Sequence, residues 1–430
     1  MIDVKAILFA NAGAMWKILS GPITLLFIAS GLAPVEQGIY FTFISIAAIQ
    51  QVFELGFSVV LVQTYASQNN SREYSDFSND INVKGLHVFS IVTYFLIALV
   101  FYICAYNYGI YIFKDVPEFD HLTLICWRWY LFFIAISLLV IPFYSHMEGG
   151  LLVRNVYKSR FISIALSSSI LWTLLFFNYG LIALVISQAV LVLSQFISIR
   201  KYIYNSCINI FKKRDILYIG FIEFKKASGF QLKLALVWAT GYFYWNSYNL
   251  IFFKLVSPVY AGVFGMTFAL FNAFSVIAQN IVLVNRAKIS NAITSNGIDN
   301  ALRSFKCLQY VSIVVFLICI TFLFLLKFIL PHFFIFNRIL ETNSMILLSI
   351  MFFCTTAICN YATFTRCFGI EALFKLSIIM NVIIPVITLL YTKFIGLDGL
   401  LIYIALAHVI FLLLSIVIIR NFIIRTRLKI

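Results

Sequence analysis

GLHVFSIVTYFLIALVFYICAYNYGIYIF, residues 85–113, runs 29 residues without one Asp, Glu, Lys or Arg. A helix rises about 1.5 Å per residue, so about 20 apolar residues cross a hydrocarbon core of about 30 Å. This stretch therefore reads as a membrane span. Working outward from it, short polar breaks predict about twelve spans: 11–33, 38–62, 85–113, 122–146, 157–177, 180–199, 231–253, 258–284, 308–330, 343–363, 374–392 and 398–419. Of the 430 residues, 63% are hydrophobic and 11% charged, against about 45–50% and 25% in soluble domains. A soluble enzyme is all but excluded. The expected class is all-α: a polytopic membrane protein of about 12 transmembrane helices in two six-helix lobes around a central cavity.

The net charge of +15 would suggest nucleic acid in a soluble protein, so the placement of the 31 Lys and Arg decides its meaning. With both termini in the cytoplasm, 25 basic residues fall on or near the inner side. Six fall outside: Lys114, Arg128, Lys254, Lys327, Arg338 and Lys393. The acids divide nine inside and six outside, with Glu54 inside a span. The basic excess follows the positive-inside rule and reports topology, with anionic inner-leaflet lipid as neighbour and no nucleic-acid partner. The first apolar segment has no cleavage site after it and continues into a full span, so it reads as an anchor.

No GxxxxGK[ST], GxGxxG or HExxH occurs, and the eight cysteines form no CxxC. No cofactor or metal site is expected, and any transport must draw on an ion gradient, a partner or the substrate's own gradient. The five histidines are dispersed along the chain. The longest polar break, Arg200 to Phe230, holds Lys212, Lys213, Arg214, Lys225 and Lys226. It separates a lobe over 1–200 from a lobe over 231–430, with 201–230 as a cytoplasmic basic connector. Tyr74 to Asp80 reads as solvated loop.

Two fragments recur in order. Pro34-Val35-Glu36-Gln37-Gly38-Ile39-Tyr40 resembles Pro258-Val259-Tyr260-Ala261-Gly262-Val263-Phe264, and Val59 to Gln63 is echoed by Ile281 to Asn285. Chance in a Val- and Ile-rich chain is the bland explanation. A parallel internal repeat is the favoured one, and it suits an alternating-access transporter with a central cleft.

Ionisable residues inside spans are costly and mark function by default. Lys17 on the first span and Glu54 on the second reach similar depth and could touch, either as a structural ion pair or as part of a substrate or coupling-ion site. Gln51, Glu54 and Ser58 fall at i, i+3 and i+7 on one helical stripe. Arg128, between Trp127 and Trp129, either snorkels to the interface or contacts an anion. The seventh span carries Trp238, Tyr242, Trp245 and Asn249 at helical spacing, with Asn246 beside them and Lys233 and Lys254 near its ends. The eighth carries Asn272, Ser275 and Gln279. Aromatic faces edged by amides suit sugar rings, and the same stripes also serve plain packing. Thr356, Asn360 and Thr363, with Arg366 at the inner end of the tenth span, form a fainter polar face of the kind that joins helices.

Trp16-Lys17-Ile18-Leu19-Ser20-Gly21-Pro22, Gly38-Ile39-Tyr40 and Phe53-Glu54-Leu55-Gly56-Phe57 resemble the polysaccharide-transport branch of the multidrug/oligosaccharidyl-lipid/polysaccharide exporter superfamily, whose Wzx-type members are O-antigen flippases. Pro258 to Phe264 and Asn285-Arg286-Ala287-Lys288-Ile289-Ser290 resemble its seventh-to-ninth-helix region. The resemblance implies two six-helix lobes and a cationic cavity. It also implies transfer of undecaprenyl-diphosphate-linked oligosaccharide from the inner to the outer leaflet of the bacterial cytoplasmic membrane, with no enzymatic step. The implied partners are that lipid-linked oligosaccharide, membrane lipids, a proton or sodium ion for coupling, and polysaccharide assembly proteins. Lys17 and Glu54 match positions where related flippases carry a basic and an acidic residue. A multidrug cation antiporter of the same superfamily is the alternative, and a membrane-embedded polymerase a more distant one. An antiporter would place acids in its cleft, and a polymerase would need a large outer loop.

Overall fold

A computed structural model describes residues 4–69, 74–117, 119–208, 215–295, 297–368, 370–397 and 399–427. Over a few further stretches, among them 4–7 and 226–234, it describes the backbone alone. Helices make up every regular element among these residues. The chain divides into two compact units, Met1–Tyr242 and Phe243–Ile430.

The first unit is built from α1 (Val4–Gly31), α2 (Pro34–Ala47), α3 (Gln50–Glu54), α4 (Phe57–Asn69), α5 (Tyr74–Asn79), α6 (Ile81–Phe113), α7 (His121–Leu138), α8 (Ile141–Gly149), α9 (Val153–Phe176) and α10 (Ile182–Ile208). Most of α11 (Ile216–Leu255) also belongs to it. The second unit holds the end of α11 with α12 (Pro258–Val284), α13 (Arg286–Ser295), α14 (Gly297–Ile329), α15 (Thr342–Arg366), α16 (Phe374–Phe394) and α17 (Leu400–Arg427).

Among the described residues, ten helices are long and apolar enough to cross a membrane, and the bent run from α2 to α4 makes an eleventh if it counts as one span. The expected seventh span, 231–253, falls within α11, which is not among them. Its tyrosines with Asn246, Ser247 and Asn249 lower the hydropathy of a 40-residue helix. The expected connector over 201–230 is helical on both sides of residues 209–214, which lie outside the described residues.

Both copies of the expected repeat open a helix on their proline. Pro34 and Pro258 occupy the first turn, where a missing N–H leaves nothing unbonded and a fixed φ suits the helix. The caps differ. Glu36 Oε2 accepts from the Ala33 N–H at 2.8 Å, whereas Ser257 Oγ accepts from the Tyr260 N–H at 3.1 Å.

In the first unit α1 lies along α9, α9 along α10, and α4 against α8. The seam between α1 and α9 is aromatic with its polar ends satisfied. Trp16 and Trp172 stack at 5.9 Å, and their indole N–H groups donate to Ser168 Oγ at 2.9 Å and Thr24 Oγ1 at 2.8 Å. Helices α6 and α11 cross where two glycines meet: a Cβ on Gly220 would stand 2.1 Å from the Gly85 carbonyl oxygen. Lipid supplies no hydrophobic drive between helices, so such small-residue crossings hold spans together by close van der Waals contact.

The Tyr74 to Asp80 segment is a correction to the sequence reading. It contains the helix α5, and Phe77 is fully buried against Tyr65 and His146. Its polar composition hides one apolar anchor.

In the second unit α12 packs on α14 and α15, and α15 on α17. Phe264, Phe271 and Phe352 are buried there, with Phe268 among them at ring distances of 5.7 Å from Phe264 and 5.0 Å from Phe352.

Candidate functional site

The second span does not continue through Glu54. Leu55 takes φ 51° and ψ 30°, and Gly56 takes φ 68°. Two successive left-handed residues end α3 and restart the chain as α4 at a 41° bend. Glycine adopts this conformation freely, while leucine there costs roughly 1–2 kcal/mol, which surrounding structure must offset. Broken helices are tolerated at membrane depth where the freed backbone finds other partners or lines a cavity.

The break places Glu54 beside Tyr94 of α6, whose hydroxyl donates to Glu54 Oε1 at 3.1 Å. Ser58 sits beside the same hydroxyl. The predicted stripe of Gln51, Glu54 and Ser58 therefore does not lie on one continuous helix. Two of its members converge on Tyr94 instead, and Gln51 is exposed. Lys17 is exposed and forms no ion pair among the described residues. The expected contact with Glu54 is corrected to the Tyr94 bond. Equal depth did not imply a facing position, because α1 is docked on α9.

Arg128 is exposed, and no partner faces it among the described residues. Its neighbours diverge: Trp127 is fully buried against Phe43 at 4.7 Å, while Trp129 is 48% exposed. The guanidinium is thus carried at the edge of a rigid aromatic core, available to an interface or to an anion.

The aromatic stripe of α11 divides between units. In the first unit Trp238 is half-buried. Tyr242 is buried, and its hydroxyl donates to the Ser45 carbonyl at 3.1 Å. In the second unit Trp245 sits against Phe268 at 6.1 Å and Phe352 at 6.4 Å. Asn246 and Asn249 are half-buried beside it. The side chain of Lys233 lies outside the described residues.

The polar faces of α12 and α15 meet. Ser275 Oγ and Thr356 Oγ1 are 2.7 Å apart, Gln279 Nε2 donates to Ser275 Oγ at 2.8 Å, and Asn360 Nδ2 donates to Ser312 Oγ at 2.9 Å. Asn272 is half-buried one turn away. Ser275 thus joins α12 to α15, while Gln279 braces Ser275 from within α12.

Two groupings escaped the sequence. His87 and His146, far apart in the chain, lie with ring centroids 4.5 Å apart, and His146 Nδ1 meets the Tyr202 hydroxyl. In the second unit the Tyr244 hydroxyl lies 2.7 Å from His408 Nε2 and 3.1 Å from Thr355 Oγ1. No local spacing announces either pairing, since each joins separate helices.

A pocket of about 370 Å³ lined by Leu283, Arg286, Ser290, Thr363, Arg366 and Cys367 brings two guanidinium groups together. Two guanidinium groups are planar donors of the kind phosphate oxygens take, while the Ser290 and Thr363 hydroxyls donate to the Cys367 and Cys359 carbonyls. Glu371 Oε1 accepts from Arg366 Nε at 2.9 Å, holding that guanidinium in place.

No protein-family model matches the chain, and neither does any curated protein sequence. Solved structures do. An inward-facing multidrug resistance MATE family transporter of the MOP superfamily is similar with a TM-score of 0.72 at 13% identity, over 98% of this chain and 99% of its own. The lipid II flippase MurJ, in an inward closed conformation, is similar with a TM-score of 0.60 at 14% identity, over 96% of this chain and 86% of its own. The eukaryotic MATE transporter AtDTX14 gives 0.55 at 14% identity, over 98% of each chain. The chain shares its fold with these solved transporters.

Proposed function

We propose that the protein is a flippase that moves undecaprenyl-diphosphate-linked oligosaccharide from the inner to the outer leaflet of the bacterial cytoplasmic membrane by alternating access. The observation that carries this reading is the pocket of Arg286 and Arg366 within a fold shared with a lipid II flippase. A diphosphate leaves water only where cations replace its hydration. Two arginines supply bidentate donors. Lys17 and Arg128, both exposed, are further cations for the path, and the half-buried Trp238, Asn246, Asn249 and Asn272 are candidates for the glycan. The polyprenyl tail stays in lipid throughout. Both termini are placed in the cytoplasm, a proton or sodium gradient is the proposed energy source, and polysaccharide assembly proteins are the proposed partners.

A multidrug cation antiporter is the second reading, favoured by the TM-score of 0.72 to a MATE transporter. Purified protein in proteoliposomes, given a fluorescent lipid-diphospho-oligosaccharide in one leaflet and an organic cation in the lumen, separates the two. Appearance of the glycan in the opposite leaflet, lost in Arg286→Gln with Arg366→Gln, is expected. Cation exchange without lipid transfer would replace the flippase reading.

A further inference from the structure

A second concavity, of about 740 Å³, opens in the second unit between α14, α15 and α17. Its rim mixes cations with Leu302, Phe305, Ile423 and Ile424, and its deep end is apolar. Lys306, Arg420 and Arg427 stand at one end, on the side that the distribution of basic residues assigns to the cytoplasm. Ile313 lies seven residues beyond Lys306 on α14, about 10 Å deeper, and Ile416 lies about 6 Å beyond Arg420 on α17. These two isoleucines give the groove an apolar floor.

The charges at the rim are unequal. Arg427 is paired with Asp299, while among the described residues neither Lys306 nor Arg420 forms an ion pair. Between rim and floor sits Gln309, whose Oε1 is buried and accepts no hydrogen bond among the described residues. A buried carbonyl oxygen of this kind calls for a donor.

We infer that this groove is a binding site for an acidic glycerophospholipid of the inner leaflet, with its phosphate between Lys306 and Arg420, a hydroxyl of its headgroup on Gln309, and its acyl chains along Ile313 and Ile416. The occupant follows from complementarity at each level. A free phosphate would leave the apolar floor empty, and a zwitterionic choline lipid would bring a quaternary ammonium to two uncompensated cations. A glycerol headgroup supplies both the anion and the donor that Gln309 lacks. The inference does not depend on the transported substrate.

Native mass spectrometry of the purified protein, titrated with palmitoyl-oleoyl phosphatidylglycerol or the corresponding phosphatidylcholine, tests it. At least tenfold tighter binding of phosphatidylglycerol is expected for the unaltered chain. Lys306→Gln with Arg420→Gln should reduce that preference to less than threefold. Arg303→Gln, an exposed cation on the same helix that does not line the groove, should leave it unchanged. Gln309→Leu should bring phosphatidylglycerol down to the affinity of phosphatidate, which lacks the headgroup hydroxyls. All four residues are at least partly exposed, and thermal unfolding of each variant confirms an intact fold. Equal binding of the two lipids, a preference that survives the double substitution, or displacement of phosphatidylglycerol by equimolar undecaprenyl diphosphate would overturn the assignment.

Discussion

Glu54 shows how one side-chain contact changes the experiment that tests it. With Tyr94 as its donor, Tyr94→Phe strips a hydrogen bond from a carboxylate and should cost roughly 1.5–3 kcal/mol. Glu54→Gln keeps an acceptor for the same hydroxyl and should cost less. Lys17→Gln removes an exposed, unpaired cation and should leave stability unchanged within about 0.5 kcal/mol. Thermal unfolding in detergent ranks the three. A loss for Lys17→Gln as large as for Tyr94→Phe would restore the ion pair that depth alone suggested. If Lys17 contacts the diphosphate, its Gln variant loses transport while remaining folded. Arg128 divides in another way: Lys in its place keeps transport if the residue only snorkels, and slows it severalfold or more if a bidentate anion contact is lost. The depth of each charge was legible in the sequence because a helix rises by a fixed step. Which way each charge faces was not, because that depends on which helix docks where, and α1 docks through Trp16 and Thr24 on α9.

At the scale of elements, apolar run length located the spans well, and the prolines at 34 and 258 marked helix starts through their fixed φ. The break at Leu55-Gly56 was hidden, since glycine is common inside transmembrane helices and a Leu-Gly pair does not distinguish a kink from a continuous turn. In α12, which carries the matching repeat, the helix runs unbroken through 27 residues. The aromatic stripe of α11 was legible as a stripe, but its sugar-contact and packing readings share one spacing. Burial sets Tyr242 apart, and ring contacts with Phe268 and Phe352 set Trp245 apart from Trp238. Tyr242→Ala removes a buried ring and should destabilise by about 3–5 kcal/mol, and Trp245→Ala, which removes a half-buried ring packed on Phe268 and Phe352, should cost less. Trp238→Ala, at a half-buried ring, should fold and reveal any effect on glycan transfer. The readout is the yield of monodisperse protein followed by the flipping assay. Three variants that fold equally well would return the whole stripe to the cavity wall.

Over the whole molecule, the charge distribution carries information that neither a residue nor a helix holds. A basic residue placed in the cytoplasm during insertion resists translocation, so a split of 25 to six by the expected span boundaries predicts an orientation for the chain as a unit. That orientation has a consequence that fusions check directly. Arg420, Arg425 and Arg427 all lie in the last two turns of α17, and Arg286 and Lys306 lie at the same inner ends of neighbouring helices by the span boundaries. By the expected span count, the segment after α10, which carries Lys212, Lys213 and Arg214, also lies in the cytoplasm. A periplasmic alkaline phosphatase fused after Lys213 should therefore be inactive, because its disulfides do not form in a reducing compartment. A green fluorescent protein at the same point should be bright. The opposite fusion, phosphatase after Asp115 between α6 and α7, should be active. Replacing Lys212, Lys213 and Arg214 together by Gln should weaken the bias without inverting it, since 22 of the inner cations remain. An active phosphatase after Lys213 in the unaltered chain would invert every leaflet assignment, including the direction of transport and the side on which the lipid groove opens.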